Sequence, residues 1–150
     1  MGAEMRLSVQ EAPFDFGTEA GAFAAAVPGA GAVVTFTGLV RDEGGRLSLM
    51  EIEHYPGMTE TAIAAMMEEA KARFHLADAL VIHRYGSLRA GEAIMMVATA
   101  APHRADAFAA AEFLMDYLKS RAPFWKKEIG PDGAAWVAAK GADEDALKRW

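Results

Sequence analysis

The feature that most restricts how this chain can fold is the alternation of strand-like and helix-like segments along its 150 residues. Runs rich in β-branched residues, such as AVVTFTGLV at residues 32–40, are typical of strands. Between such runs lie segments whose apolar residues recur at the spacing of a helix with one buried face. The best example of this spacing is the set Ile63, Met66, Met67, Ala70 and Phe74.

Glycines and prolines divide these segments and so predict where each element begins and ends. The predicted strands are residues 5–9, 32–40, 47–55, 79–85, 93–101, 124–129 and 134–140. The predicted helices are residues 18–27 with Thr18 as N-cap, a helix capped by Thr59, residues 104–121, and residues 143–150. The apolar stripe predicted for the third helix is Ala107, Ala111, Leu114, Met115 and Leu118.

Two smaller features refine this outline. The apolar phase slips between Leu49 and Met50, which predicts a β-bulge. Residues 42–46 are predicted to be a turn or mobile loop, and residues 86–91 a connection. The order β-α-β-β-α-β-β-α-β-β then predicts an α+β fold, in which helices pack on a mostly antiparallel sheet. The length is that of one domain, so we expect residues 1–150 to form a single domain.

Composition limits the possible classes of function. The net charge of −6 argues against broad binding to nucleic acids or anionic membranes. The chain has no cysteine, which excludes disulfides, cysteine-ligated zinc, iron–sulfur clusters and a cysteine nucleophile. The sequence contains neither a signal-peptide pattern nor a long apolar span, and we therefore expect a soluble cytoplasmic protein.

One candidate site follows Pro102, where a strand gives way to a helix. The backbone N–H groups at a helix start attract anions, Arg104 adds a fixed positive charge, and His103 exchanges protons near neutral pH. These residues could form an anion or phosphate pocket. By spacing alone, two polar surface residues at a helix entry are the more common case.

A second candidate site is the segment KSRAPFWKKE at residues 119–128. In an extended segment alternate residues face alternate sides, so Lys126 and Glu128 should share one face and Trp125 and Lys127 the other. A lysine partly removed from water beside other cations can act as an acid, a base or a nucleophile. Without further information, a structural interpretation is the more common case. In it Lys119 complements the helix dipole, and the rest of the segment is a solvated strand edge.

Other polar residues carry weaker signals. Arg41 ends a strand at a glycine-containing loop, where ligand contacts are frequent although a solvated arginine is more frequent still. The four histidines lack the spacing of metal ligands. The pair His83 and Arg84 lies inside a strand and is interpreted as a structural hydrogen-bonding pair. Nucleotide-binding and serine-hydrolase motifs do not occur, so we expect neither a metal nor a bound cofactor.

Seven segments together resemble the molybdopterin synthase large-subunit family. In chain order they are VVTFTGLVR (33–41), EHYPGMTE (53–60), IHRYGSL (82–88), GE (91–92), PHR (102–104), FLMDYLKSRAPFWKKE (113–128) and WV (136–137). The resemblance runs in order from about residue 31 to the C-terminus. Several motifs in order at workable separations make the resemblance far more specific than any single motif. The resemblance therefore favours the functional interpretation of both candidate sites and of Arg41 over the more common structural ones.

The resemblance implies an α/β hammerhead-like fold and a sulfur-transfer activity. Members of the family insert two sulfurs into cyclic pyranopterin monophosphate, called precursor Z, to form the dithiolene of molybdopterin. The sulfur is carried as a thiocarboxylate on the C-terminal glycine of a small ubiquitin-like subunit. Two large subunits form a homodimer within a heterotetramer, and each binds one small subunit. A sulfur-transfer protein without cysteine fits this scheme, because its sulfur comes from elsewhere.

The resemblance also implies roles for individual residues. Lys119 matches the essential lysine and is expected to act as an acid–base or covalent catalyst at the thiocarboxylate carbonyl. Lys126 matches the second catalytic lysine and is expected to stabilise developing negative charge. The substrate-binding residues implied are Arg41, His103, Arg104, Lys119, Lys126, Lys127 and Glu128. His103 and Arg104 are expected to act across the dimer interface.

Two features and two alternatives bound this interpretation. The loop DEGGR after Arg41 is short for the family and receives no assigned contacts, and residues 1–30 receive no functional role. One alternative is a non-catalytic scaffold that binds a ubiquitin-like partner. The other is a phosphate-ester hydrolase using His103 and Arg104, for which the sequence offers no metal ligands or nucleophile.

Overall fold

A computed structural model describes residues 5–137 and 141–150 of the chain. The strands are β1 (Met5–Gln10), β2 (Ala32–Leu39), β3 (Leu49–His54), β4 (Asp78–Arg84), β5 (Gly86–Leu88), β6 (Ala93–Ala101), β7 (Phe124–Gly130) and β8 (Gly133–Trp136). The helices are α1 (Phe16–Ala25), α2 (Met58–Phe74), α3 (Arg104–Ser120) and α4 (Gly141–Leu147), with a 3₁₀ turn at Glu43–Gly45.

The described strands form two sheets rather than one. The first sheet has the order β1-β4-β6-β2 and the second the order β5-β3-β7-β8. Strands β1 and β4 are parallel, and every other described pair is antiparallel. The prediction of a mostly antiparallel α+β fold is confirmed, whereas the division into two sheets was not foreseen, because apolar periodicity does not say which strands pair.

The core lies on both faces of the first sheet. Strands β4 and β6 are buried along nearly their whole length, so their side chains alternate between two apolar clusters. The larger cluster contains the predicted stripe of α2 and also takes in residues of the second sheet such as Ile52. The smaller cluster surrounds Phe23 of α1, which is fully buried. In α3, the fully buried Phe113 joins the predicted stripe and Met115 is only partly buried.

Several predicted details are wrong at the level of single residues. The N-cap of α1 is Asp15, whose carboxylate accepts a hydrogen bond from the N–H of Thr18 at 2.9 Å. The N-cap of α2 is Gly57, since Thr59 lies buried inside the helix and its hydroxyl donates to the carbonyl of Tyr55. Both threonines sit in the first turn, close enough to the true cap that sequence alone does not separate the positions.

The strand details also need correction. The register shift lies between Gly38 and Leu39 of β2, and β3 pairs regularly across Leu49 and Met50. The predicted connection at residues 86–91 contains β5, which pairs with β3. Strand β8 ends at Trp136, and residues 138–140 of the predicted last strand lie outside the described residues.

Gly31 joins the start of β2 to the turn before α3. Its N–H donates to the carbonyl of Ala101 at 3.0 Å. A Cβ atom at this position would lie 2.2 Å from the carbonyl oxygen of Pro102. A glycine at residue 31 therefore allows β2 to run against the Pro102 turn, which leads directly into His103.

None of the helices in the described part of the chain is long and apolar enough to cross a lipid bilayer.

Candidate active site

Helix α3 carries the predicted site residues to two different places. It begins three residues after the last residue of β6 and packs back across β6 and β2. The hydroxyl of Thr99, near the end of β6, donates to the carbonyl of Ala107 in the first turns of α3 at 2.7 Å. Phe124, shortly after α3, stacks on His83, whose cross-strand partner is Met95 near the start of β6. Helix α3 therefore runs antiparallel to β6.

The predicted group of basic residues is consequently divided between two ends of the first sheet. Arg104 and Lys119 are 15 positions apart in one helix, which at about 1.5 Å per residue separates them by roughly 22 Å along its axis. Arg41 follows β2, whose last residue Leu39 pairs with Ala93 at the start of β6. Arg41 and Lys119 thus lie towards one end of the sheet, and Arg104 towards the other.

Lys119 occupies the last turn of α3, where the partial negative charge of the helix C-terminus favours a cation. Its side chain is exposed. Among residues 5–137 and 141–150 no hydrogen bond or ion pair engages its ammonium group. The ammonium group is therefore available to an incoming anion.

Lys126 lies in the middle of β7 and is half-buried. It pairs with Ile52 of β3, and Glu128 pairs with Met50, both of which belong to the core. Lys127 instead lies opposite Glu51, with its ammonium nitrogen 4.8 Å from the centre of the Trp136 ring. This arrangement agrees with the predicted alternation of Lys126 and Lys127 between the two faces of the strand.

Beneath Lys126 lies His83, a buried histidine near the end of β4. Its ring stacks on that of Phe124 with 3.7 Å between centroids and 16° between planes. The pKa of His83 is lowered to about 3, mainly by burial. The hydrogen bond to the carbonyl of Arg84 raises this pKa, whereas the positive charges of Lys126 and His54 lower it further. Lys126 is therefore close enough to His83 to act on it electrostatically.

The interpretation of His83 and Arg84 as a structural pair is confirmed. Nδ1 of His83 lies 2.8 Å from the carbonyl oxygen of Arg84. The guanidinium of Arg84 donates to the carbonyl of Glu11 and to the carboxylate of Glu92. Sequence reasoning missed the proximity of His83 to Lys126, because only the packing of one sheet against the other brings them together.

Glu128 borders a shallow cleft beside the loop that follows Arg41. The cleft has a volume of about 110 Å³ and is lined by Asp42, Arg46, Leu47, Glu128, Ile129 and Gly130. Small-molecule sites usually enclose about 300–1,000 Å³, so this cleft is too small to enclose a pterin. Neither Lys119 nor Lys126 lines it. This cleft is therefore not a substrate pocket around the two lysines, and such a pocket needs other residues to line it.

The other predicted anion site lies at the start of α3. His103 is the N-cap with extended backbone, and its side chain makes no capping hydrogen bond. Both His103 and Arg104 are exposed. The first N–H groups of the helix point to the same region, which is the arrangement that attracts anions. Within residues 5–137 and 141–150, no three His, Cys, Asp or Glu side chains are grouped so as to hold a metal ion.

Comparison with known proteins shows the family to which the chain belongs. The family model described as "MoaE protein" matches residues 9–121. The chain belongs to the MoaE protein family. The "Molybdopterin synthase catalytic subunit" of Cereibacter sphaeroides is 72% identical over 97% of this chain and 100% of its own length.

Solved structures agree with membership of the MoaE family. A MoaE protein from Burkholderia ambifaria matches with a TM-score of 0.84 and 47% identity, covering 98% of both chains. A Helicobacter pylori structure, titled as the complex of subunits 1 and 2 of molybdopterin-converting factor, matches with a TM-score of 0.77. Its identity of 19% over 89% of this chain and 91% of that one shows the shared fold alone. As a MoaE family member, the chain is a molybdopterin synthase catalytic subunit, a sulfur-transferring enzyme of molybdenum cofactor biosynthesis.

Proposed function

We propose that this subunit transfers sulfur from the C-terminal thiocarboxylate of a small ubiquitin-like partner to precursor Z, with Lys119 and Lys126 as its catalytic residues. The observation that carries the proposal is the position of Lys119. It lies at the end of α3 next to the segment that bears Lys126, and its exposed ammonium group is available to a ligand. Arg41 lies towards the same end of the sheet.

The electrostatics of this end suit two anionic reactants. The substrate phosphate and the thiocarboxylate repel each other, and a group of cations lowers the energy of bringing them together. A hydrogen bond between charged groups contributes about 1.5–3 kcal/mol, so two or three such contacts offset a substantial part of that repulsion. Lys127 and Glu128, carried on the same strand as Lys126, are proposed to border the bound substrate.

Each transfer exchanges sulfur for oxygen at the partner's terminus. On the pterin side chain a carbon–sulfur bond forms and a carbon–oxygen bond breaks. At the tail the acyl carbon–sulfur bond breaks and a carbon–oxygen bond to a water oxygen forms, so the tail ends as a carboxylate. Lys119 is proposed to move a proton at the thiocarboxylate carbonyl or to attack it as the free amine. Lys126 is proposed to stabilise the negative charge that develops on the acyl oxygen.

His103 and Arg104 are proposed to reach the same substrate from a second copy of the chain. Within one chain Arg104 and Lys119 are separated by roughly 22 Å along α3, too far for both to contact one pterin. A homodimer that sets the start of one α3 against the end of the other would complete the anion site. Each end of that dimer would bind one small subunit, which gives a heterotetramer. The Helicobacter pylori structure, a complex of subunits 1 and 2 of molybdopterin-converting factor, supports binding between two different subunits.

The cytoplasm is the proposed location, because both the sulfur carrier and the pterin are intermediates of biosynthesis. The absence of any membrane-crossing helix from the described residues is compatible with it.

The experiment that tests the proposal is the Lys119→Ala substitution. The side chain is exposed, so the variant should fold normally, with a free energy of unfolding within about 0.5 kcal/mol of wild type. Given precursor Z and thiocarboxylated partner, it should form molybdopterin at least about 100-fold more slowly, because an acid–base group contributes on that scale.

The matched control is Lys148→Ala, which removes an exposed lysine that forms an ion pair with the nearby Asp145. This variant should turn over at the wild-type rate. Wild-type turnover by Lys119→Ala would contradict the proposed site. Failure of the wild-type subunit to bind precursor Z while it still binds the partner would instead indicate a scaffold.

A further inference from the structure

The contact between the two sheets places a buried polar side chain beneath the segment that carries Lys126. His83 is only 5% exposed, and one face of its ring is covered by Phe124 of β7 at 3.7 Å. Successive side chains of a strand alternate, so Phe124 and Lys126 project from the same face of β7. The strand face that covers His83 is thus the face that presents Lys126.

The hydrogen bond of His83 determines which ring nitrogen carries the proton. Nδ1 lies 2.8 Å from the carbonyl oxygen of Arg84, which can only accept, so Nδ1 bears the hydrogen. In the neutral ring Nε2 is then an unprotonated acceptor. The nearby guanidinium of Arg84 is committed elsewhere, to the carbonyl of Glu11 and the carboxylate of Glu92. His83 therefore presents a fixed, uncharged dipole.

Few charged groups face this ring. Lys126 from β7 and His54 from β3 both act on its pKa. Its cross-strand neighbours in the first sheet, Val9 of β1 and Met95 of β6, carry no charge. A neutral ring in this place does not repel the ammonium group of Lys126, as an imidazolium would. Its polar surface also stabilises an ammonium group better than a hydrocarbon surface does.

We infer that His83 is a positioning residue for Lys126, holding the ammonium group in place and maintaining its proton affinity through a neutral imidazole of defined tautomer. The inference rests on the proposed function, because it assigns His83 a role only through Lys126. It also explains why a polar residue stands where an apolar one would fill the same buried volume.

The decisive variant is His83→Phe, which keeps an aromatic ring against Phe124 and removes the dipole. The rate constant kcat should fall roughly tenfold with KM within about twofold, since the change acts on the chemical step rather than on substrate binding. The limb of the pH profile that reports Lys126 should move to lower pH, because an apolar neighbour disfavours the ammonium form.

Two further variants separate positioning from general destabilisation. In His83→Asn the amide N–H can still donate to the carbonyl of Arg84, so this variant should recover part of the lost kcat. Ile82→Val is the matched control, since Ile82 is an equally buried neighbour on the opposite face of β4. It should leave both kcat and the pH profile unchanged. A His83→Phe variant that behaves like Ile82→Val would overturn the inference.

An NMR measurement on the wild-type protein tests the inference without relying on any variant to fold. The ¹⁵N shifts of the His83 ring should report the neutral tautomer with hydrogen on Nδ1 between about pH 5 and 8. Protonation near pH 6.5, or hydrogen on Nε2, would exclude the proposed role. If Lys126→Ala turns over like wild type, the proposed active site itself fails. If Lys126→Ala is impaired but His83→Phe is not, only the positioning role fails.

Discussion

The buried imidazole of His83 makes the stability of the fold depend on pH. In an unfolded chain the pKa of histidine is near 6.5, whereas burial lowers that of His83 to about 3. Between these values the unfolded chain binds a proton that the folded chain does not. The free energy of unfolding therefore falls as the pH falls from about 6.5 towards 3, by about 1.4 kcal/mol per pH unit from this residue alone.

His83→Phe should remove this contribution. Urea unfolding of wild type and variant at several pH values between 7 and 4 should show a steeper loss of stability in the wild type. The control is His75→Asn, which replaces an exposed histidine of left-handed backbone (φ 54°) by a residue that tolerates that conformation. His75→Asn should keep the wild-type pH dependence. Parallel curves for wild type and His83→Phe would show that His83 titrates normally in the fold.

Gly31 is the second residue whose identity has a structural reason. In Gly31→Ala the added Cβ would lie 2.2 Å from the carbonyl oxygen of Pro102, so the backbone must shift. We expect a loss of about 1–3 kcal/mol in the free energy of unfolding, measured by chemical denaturation. The matched control is Gly21→Ala, where nothing lies within 4 Å of the new atom. It should gain about 0.5–1 kcal/mol, because alanine favours a helix interior.

At the scale of elements, Trp150 joins α4 to α3. The ring of Trp150 contacts those of Phe74 and Phe113 edge-on, at 5.8 Å and 5.6 Å between centroids. Its indole N–H donates to Asp116, and Arg73 donates to its carbonyl oxygen. These contacts compensate for the short length of α4 (Gly141–Leu147), which has no buried side chain of its own.

Trp150→Ala should therefore release α4 before the rest of the fold unfolds. We expect faster amide exchange across residues 141–147 and a loss of about 1–3 kcal/mol in stability, less than for a fully buried tryptophan. Trp136→Ala is the control, since Trp136 is 55% exposed on β8. It should leave exchange in α4 unchanged. If Trp150→Ala also leaves that exchange unchanged, the ring contacts do not hold the helix.

At the scale of the whole molecule, the length of α3 means that the proposed site needs a second copy of the chain. The helix separates Arg104 from Lys119 by roughly 22 Å, a distance that rotation of side chains does not close. A site that uses both residues must therefore combine the start of one α3 with the end of another. This requirement leads to a test that does not depend on a structure of the complex.

Arg104→Ala and Lys119→Ala should each be nearly inactive alone, and a mixture that has exchanged subunits should recover activity. In a mixed dimer one site combines the intact Lys119 of one chain with the intact Arg104 of the other, and the second site lacks both. With equal amounts and random exchange, half the dimers are mixed and about a quarter of the wild-type activity should return. A mixture that stays inactive, although labelled subunits are shown to exchange, would mean that the site does not span two copies.

Local patterns were sufficient for most of the elements, although β5 was missed. The buried face of α2, the extent of β6 and the alternation of Lys126 and Lys127 follow from spacing between near neighbours, which backbone geometry translates directly into faces. The motifs around Lys119 and His103 predicted the family, and the comparisons confirmed it. The N-caps of α1 and α2 lie three and two residues before the predicted threonines, because several polar residues near a helix start are equally suitable by type. The bulge was predicted in the wrong strand, since it lies in β2 and not in β3.

What only the tertiary structure decided is how distant segments meet. The division into two sheets, the position of His83 beneath Lys126 and the separation of Arg104 from Lys119 all depend on contacts between elements far apart in the chain. Such contacts are selected by the burial of whole faces and by the fit of one element against another. Periodicity records which face of an element is apolar, but the choice of the element that covers it is made by the packing of the entire chain.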